Sequence, residues 1–201
     1  MFAAFAEAIR TTTQPCTLLL LLPALVMAII TRGRWAAFAA MCTGAVLGGW
    51  LFIANVVALD GWRLQLSGAL VVAVIGLVLV ARSVSPLNWA ATPGVQAAFA
   101  SLVTFAATLW WRPCIGTELG VILTGARAGA LGELPGITAY MLGSMMPVLA
   151  VVLLMRVIDP SPVAARRAAW LAGVVGLAAA VAVTIGRHDE LVATLTRWTM
   201  S

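Results

Sequence analysis

The chain has no lysine, one histidine and three cysteines, and only 9% of its 201 residues are charged. Soluble domains carry about 25% charged residues, so this composition excludes an ordinary soluble fold. Three cysteines are too few for a disulfide scaffold, and neither a CxxC pair nor Cys/His spacing points to a zinc site; no metal or other cofactor is expected. The single histidine, His188, lies beside Asp189 and Glu190 near the C-terminus and reads as a solvated tail residue rather than a ligand. All 12 basic side chains are arginines, but they form no basic run and no aromatic-interleaved patch, so nucleic acid is not an expected partner.

What is present is apolar surface. Hydrophobic residues make up 63% of the chain, and the mean hydropathy is +1.06. A membrane-spanning helix needs about 20 mostly apolar residues, so the length accommodates roughly six spans with short connections. The expected fold is all-α: one polytopic membrane domain over residues 1–201, lying in a lipid bilayer. The first apolar stretch runs from Phe2 to Ile30, interrupted by Glu7, Arg10 and the Thr11-Thr12-Thr13-Gln14-Pro15 breaker. Leu18 to Ala28 resembles a signal-peptide core, but no basic start precedes it and Cys16 has no lipobox, so the segment is expected to stay on the chain. The second span is expected over Trp35 to Leu59, the third over Leu64 to Val80, and the longest loop over Arg82 to Gly94. The fourth covers Val95 to Ala126, the fifth Ile137 to Ile158 and the sixth Ala168 to Ile185. Gly44, Gly48 and Gly49 suggest a close helix-packing face in the second span, and Cys42 reads as a small packing residue on it.

The fourth stretch is about 32 residues long, too long for one straight crossing. It contains Trp110-Trp111-Arg112-Pro113-Cys114-Ile115-Gly116-Thr117-Glu118, which places a thiol, a helix breaker and two charges inside an apolar run. Proline removes a helix hydrogen bond and clashes with the preceding turn, so a break or kink is expected at Pro113. Ionisable groups at membrane depth are costly and mark a functional site by default. A second Pro-Cys pair, Pro15-Cys16, stands 98 residues earlier (114 − 16). Each pair opens a set of three expected spans, giving repeats over about residues 1–94 and 95–201. A three-span unit enters the bilayer in the opposite sense the second time, so the halves would form an inverted pair with its site at their interface.

Pro15-Cys16 with Pro23 downstream, and Arg112-Pro113-Cys114-Ile115-Gly116, resemble the paired motifs of the CcdA family. These are six-span thiol:disulfide transporters of cytochrome c biogenesis, related to the DsbD membrane domain. The resemblance implies that Cys16 and Cys114 pass reducing equivalents from cytoplasmic thioredoxin to an extracytoplasmic thioredoxin-like protein across a bacterial inner membrane, without cofactor. The family commonly has a second proline three places after each cysteine; here Leu19 and Thr117 occupy those positions.

Thiol–disulfide exchange needs an accessible thiolate, and a cysteine sealed in hydrocarbon is inert. Thr11 to Gln14 could line the Cys16 side with polar groups. Arg112 either favours the Cys114 thiolate or snorkels to the interface with Trp110 and Trp111. Glu118, one helical turn after Cys114, either exchanges a proton with that thiol or pairs with an arginine to lower its burial cost. The competing readings are a small-solute or ion transporter using Arg112, Thr117 and Glu118, with incidental cysteines, and a structural membrane subunit. Loops after the first, third and fifth spans carry Arg32, Arg34, Arg82, Arg156, Arg166 and Arg167 against Asp159; the opposite side carries five arginines and five acids. That asymmetry puts both termini on the extracytoplasmic side.

Overall fold

A computed structural model describes residues 1–12, 15–58, 69–70, 72–73, 76–77, 80, 93–110, 117–127, 131–158 and 161–185; the side chains of residues 15–20, 55–58, 110, 117–118, 126–127, 131, 162, 165, 168, 172, 176, 179 and 182–183 are not among those described. Every element among the described residues is helical. The helices are α1 (Phe2–Thr11), α2 (Pro15–Ile30), α3 (Trp35–Ala58), α4 (Pro93–Trp110), α5 (Thr117–Arg127), α6 (Leu134–Ser144), α7 (Met146–Ile158) and α8 (Pro162–Thr184). A short 3-10 turn, Leu131–Glu133, leads into α6. Residues 69–70, 72–73, 76–77 and 80 are also helical and fall within the expected third span.

Two helical stretches, Trp35–Ala54 and Leu134–Ile158, are long and apolar enough to cross a membrane. Only 39% and 33% of their apolar windows are buried, whereas the core helix of a soluble protein would be mostly covered. Large apolar side chains stand exposed along α7 and α8, among them Leu153, Leu154, Val157, Trp170, Leu171 and Val175. Contiguous exposed apolar surface of this kind calls for lipid or a partner.

The first apolar stretch is two helices rather than one. In α1 the buried residues Ala4, Ala8 and Thr11 recur at helical spacing and form one face. That face packs on α6, where Phe5 and Ala8 meet Gly143. Pro15 then starts α2, where its missing N–H costs nothing. The fifth expected span begins earlier, at Leu134, and is divided by a turn at Met145 whose N–H donates to Leu142. The sixth begins at Pro162 rather than Ala168, because proline is well suited to a helix start and the two arginines that follow it are exposed.

The closest packing is between α3 and α4. A Cβ on Gly44 would collide with the Ser101 carbonyl oxygen, and one on Gly48 would lie 2.8 Å from Thr108 Cβ. The Thr104 hydroxyl lies 3.0 Å from the carbonyl oxygens of Met41, Ala100 and Ser101 and donates to one at a time. Gly49 faces Met141 and Ile137 of α6 instead. The glycine-rich face expected in the second span is therefore a packing face, and Cys42 sits half-buried against the same core.

Helix direction follows from one end of the bundle. The turn after α2 closes with Gly33 N–H donating to Ala28 (3.0 Å) and Arg32 N–H donating to Ile29 (3.1 Å), the pairing that ends a helix through a left-handed residue. That residue is Arg32, at φ 51°, followed by Gly33 at φ 66°. Gly33 rests on α7, where a Cβ would run into the Val152 carbonyl oxygen and approach Arg156. Arg34 Nη1 donates to Gln96 Oε1 of α4 (3.0 Å). The end of α2, the starts of α3 and α4 and the end of α7 therefore meet at one arginine-rich end, and α8 starts there too. A non-glycine residue in the left-handed region costs about 1 kcal/mol or a little more, so Arg32→Gly is expected to stabilise the fold by about 1 kcal/mol. A rise in the midpoint of detergent-induced unfolding checks this.

Candidate functional site

The two Pro-Cys motifs bear on the site through the helices that flank them. Pro15 and Cys16 form the first two residues of α2. On the other side, the described residues of α4 run to Trp110 and those of α5 begin at Thr117, and the expected interruption at Pro113 lies outside the described residues. Arg112, Pro113 and Cys114 themselves lie outside the described residues, and so does the Cys16–Cys114 separation. Thr117 and Glu118 belong to the first turn of α5 by their backbone.

α2 and α4 pack against each other, with Leu21, Ala24, Met27 and Ala28 sharing one core with Ala100, Val103 and Ala106. They run antiparallel, because the end of α2 and the start of α4 both lie at the arginine-rich end. Pro15 is 15 residues before Ile30, and Trp110 is 14 residues beyond Gln96. At the rise of an α-helix each therefore stands about 21–23 Å from that end. The start of α2 and the finish of α4 are thus level with each other, on the same side of the bundle.

A second core joins α1, α5 and α6 near this level: Ala4, Ala8, Leu119, Ile122, Ile137, Tyr140 and Met141, with Ile53 and Ala107 from α3 and α4. α5 folds back on α6 through the 3-10 turn. A Cβ on Gly136 would sit 3.2 Å from Ile122, and one on Gly125 would sit 2.7 Å from Glu133 Oε1. This arrangement seats the start of α5, with Thr117 and Glu118, against the elements that hold α1.

Sequence reading missed the polar contact that fixes the end of α1. The Thr11 hydroxyl donates to the Ala8 carbonyl (3.1 Å), so Tyr140 donates its own hydroxyl proton to Thr11 Oγ1 (3.1 Å). Both residues are buried, and the Glu7 carboxylate is near enough for its charge to act on the tyrosine hydroxyl. Tyr140 is the only tyrosine in the chain, and a phenol buried in an apolar helix needs a partner; that was the available signal. The contact ties α6 to the residue four places before Pro15. Thr11, one of the polar groups that could line the Cys16 side, has its hydroxyl engaged between Ala8 and Tyr140. Tyr140→Phe is expected to cost about 1 kcal/mol, a typical net value for one buried hydrogen bond. Reversible unfolding in bilayer-mimetic detergent measures it.

Among the described residues no group of histidine, cysteine and acidic side chains could hold a metal ion. Trp50 Nε1 donates to Thr138 Oγ1 (2.8 Å), joining α3 to α6 on the bundle surface. Comparison with known protein families, curated proteins and solved structures returned no match.

Proposed function

We propose that this protein is a transmembrane thiol–disulfide electron carrier of the CcdA type, with Cys16 and Cys114 as its redox pair. The observation that carries the reading is that the helix opened by one Pro-Cys motif packs against the helix that precedes the other in the chain. Pro15-Cys16 opens α2, α2 packs against α4, and Pro113-Cys114 follows α4 in the sequence. Irregular backbone at membrane depth survives where it lines protein or water, and accessible sulfurs at the interface of two halves are what exchange requires.

Two features favour an inverted repeat of three spans per half. At the arginine-rich end α2 arrives, α3 and α4 leave, α7 arrives and α8 leaves, the senses that the first, second, fourth, fifth and sixth spans of an alternating six-span chain would have. The helical residues around Gly76 also meet α8 reciprocally. A Cβ on Gly76 would lie 2.9 Å from the Gly173 oxygen and 3.1 Å from Leu177, while one on Gly173 would lie 2.8 Å from the Gly76 oxygen and 2.8 Å from Val80. Gly76 corresponds to Gly173 and Val80 to Leu177 with the same offset of 97 (173 − 76, 177 − 80), one less than the offset of the cysteines. A pseudo-two-fold relation between halves produces such exchange of partners.

In this reading the arginine-rich end faces the cytoplasm of a bacterial cell and both termini lie outside. A reduced thioredoxin thiolate attacks the Cys16–Cys114 disulfide, forming a mixed disulfide and freeing one thiolate of the pair. The second thioredoxin thiol resolves it, so thioredoxin leaves oxidised and the pair holds two electrons and two protons. The reverse sequence then reduces the disulfide of an extracytoplasmic thioredoxin-like protein. The sulfurs carry the electrons themselves. The test is to trap a mixed disulfide in membrane vesicles with a thioredoxin whose resolving cysteine is serine. An adduct through Cys16 or Cys114 is expected; no adduct through either cysteine would sink the proposal and leave a solute transporter or structural subunit.

A further inference from the structure

The turn joining α2 to α3 holds its arginines in a way that helix termination alone does not require. Gly33 must be glycine, because a Cβ there would strike the Val152 carbonyl. The preceding left-handed position, where glycine is the usual choice, carries Arg32 instead at a backbone cost. Arg34 is held by Gln96 through one of its five N–H donors. Arg156 reaches across from α7, its guanidinium carbon 5.5 Å from the centre of the Trp35 ring, and its Cγ would lie 3.1 Å from a Cβ on Gly33. All three arginines are exposed. Two of them are pre-oriented by neutral partners, which leaves their charge undiminished and lowers the ordering cost of binding an anion. Arg166 and Arg167 add exposed charge at the same end, where the five arginines outnumber the one acidic residue of the α7–α8 connection, Asp159.

We propose that this turn binds the phosphate group of an anionic phospholipid. The basic cluster sits directly against apolar surface: Val157 (84% exposed), Ile158 and Leu154 on α7 and Trp35 at the start of α3 are open. A charged headgroup continued by acyl chains matches both parts, whereas an acidic soluble protein would leave the apolar residues uncovered. Trp35 lies at the headgroup level, where its amphipathic ring is favoured. This inference uses the membrane setting alone and is independent of the cysteine chemistry.

Native mass spectrometry of the full chain in neutral detergent tests it, with dioleoyl phosphatidylglycerol compared against phosphatidylcholine of the same chain length. Phosphatidylglycerol is expected to be retained about a hundredfold more, since each of Arg32, Arg34 and Arg156 near a headgroup favours binding about fivefold. Arg34→Gln with Arg156→Gln is expected to lower that retention about thirtyfold. Arg32→Gly lowers it about fivefold while raising the unfolding midpoint, so that loss of binding is separated from loss of folding. Arg10→Gln, on α1, leaves retention unchanged. Equal retention of the two lipids, or no effect of the arginine substitutions, overturns the proposal. Displacement of the lipid by excess inorganic phosphate also overturns it, by assigning the site to a soluble anion.

Discussion

Cys16→Ser and Cys114→Ser are each expected to abolish electron transfer to an extracytoplasmic disulfide acceptor, a loss on the order of a thousandfold or more. A serine oxygen cannot form the mixed disulfide through which the electrons pass, so neither variant should retain partial function. The double variant should be no worse than either single one, since the two sulfurs act as one unit. Cys42→Ser provides the internal comparison. Cys42 is half-buried against the core formed by α2, α3, α4 and α7 and behaves as a small apolar group. Its substitution is expected to leave the rate within about twofold. The measurement is reduction of a purified thioredoxin-like acceptor by sealed vesicles supplied with reduced thioredoxin on the opposite side. Undiminished transfer in either motif variant would exclude the redox pair while leaving the helical fold untouched.

Gly44→Val is expected to cause the largest loss of stability, about 3 kcal/mol, the upper range for forcing volume into a packed core. The first added atom already collides with the Ser101 carbonyl and comes within 2.5 Å of Thr104 Oγ1. Neither obstacle is the free end of a flexible side chain. α3 and α4 would have to separate, breaking the Thr104 contact with Met41 and uncovering Ala45, Ala100 and Val103. In lipid, close approach of small residues is a main source of helix association, because burial from water no longer drives it. Gly94→Ala is the control: nothing lies within 4 Å of a Cβ there, and the change should be neutral or stabilising by up to about 1 kcal/mol. Unfolding in mixed micelles ranks the two, and a Gly44 variant as stable as the parent would refute the packing described for α3.

The order of these effects bears on what could be read from residues alone. The glycine face on α3 was legible because Gly44, Gly48 and Gly49 leave a stripe without side chains, and only close packing explains such a stripe in a long apolar helix. The break ahead of Pro15 was legible from proline's missing donor. The division of the fifth span was not. Met145 and Met146 are ordinary helix residues, and the turn there follows from how α6 meets α1 while α7 meets α2. The start of the last helix was set too late because Arg166 and Arg167 read as loop residues, although charged side chains are at home on the exposed first turns of a helix. The bond between Tyr140 and Thr11 joins residues 129 apart in sequence; Tyr140 announces the need for a partner, but nothing local names Thr11 as that partner. The arginine cluster was visible only as a charge excess. Its geometry depends on α7 returning to the turn after α2, which is a property of the fold. The motif around Cys114 remains a matter of sequence, because it lies outside the described residues.

The interior hydroxyls have a bearing on how the protein is made. Thr31 donates to Met27 (2.7 Å), Thr108 to Thr104 (2.8 Å) and Ser144 to Met141 (2.8 Å), each to a carbonyl about one turn back. A polar side chain that finds its acceptor one turn back needs no neighbour to mask it from hydrocarbon. Under the proposed membrane reading, each such segment can leave the translocon singly, at little penalty, before its companions have been synthesised. On that reading insertion and assembly are separable stages, with partnering left to the glycines and to the contacts between helices made by Thr104, Trp50, Arg34 and Tyr140.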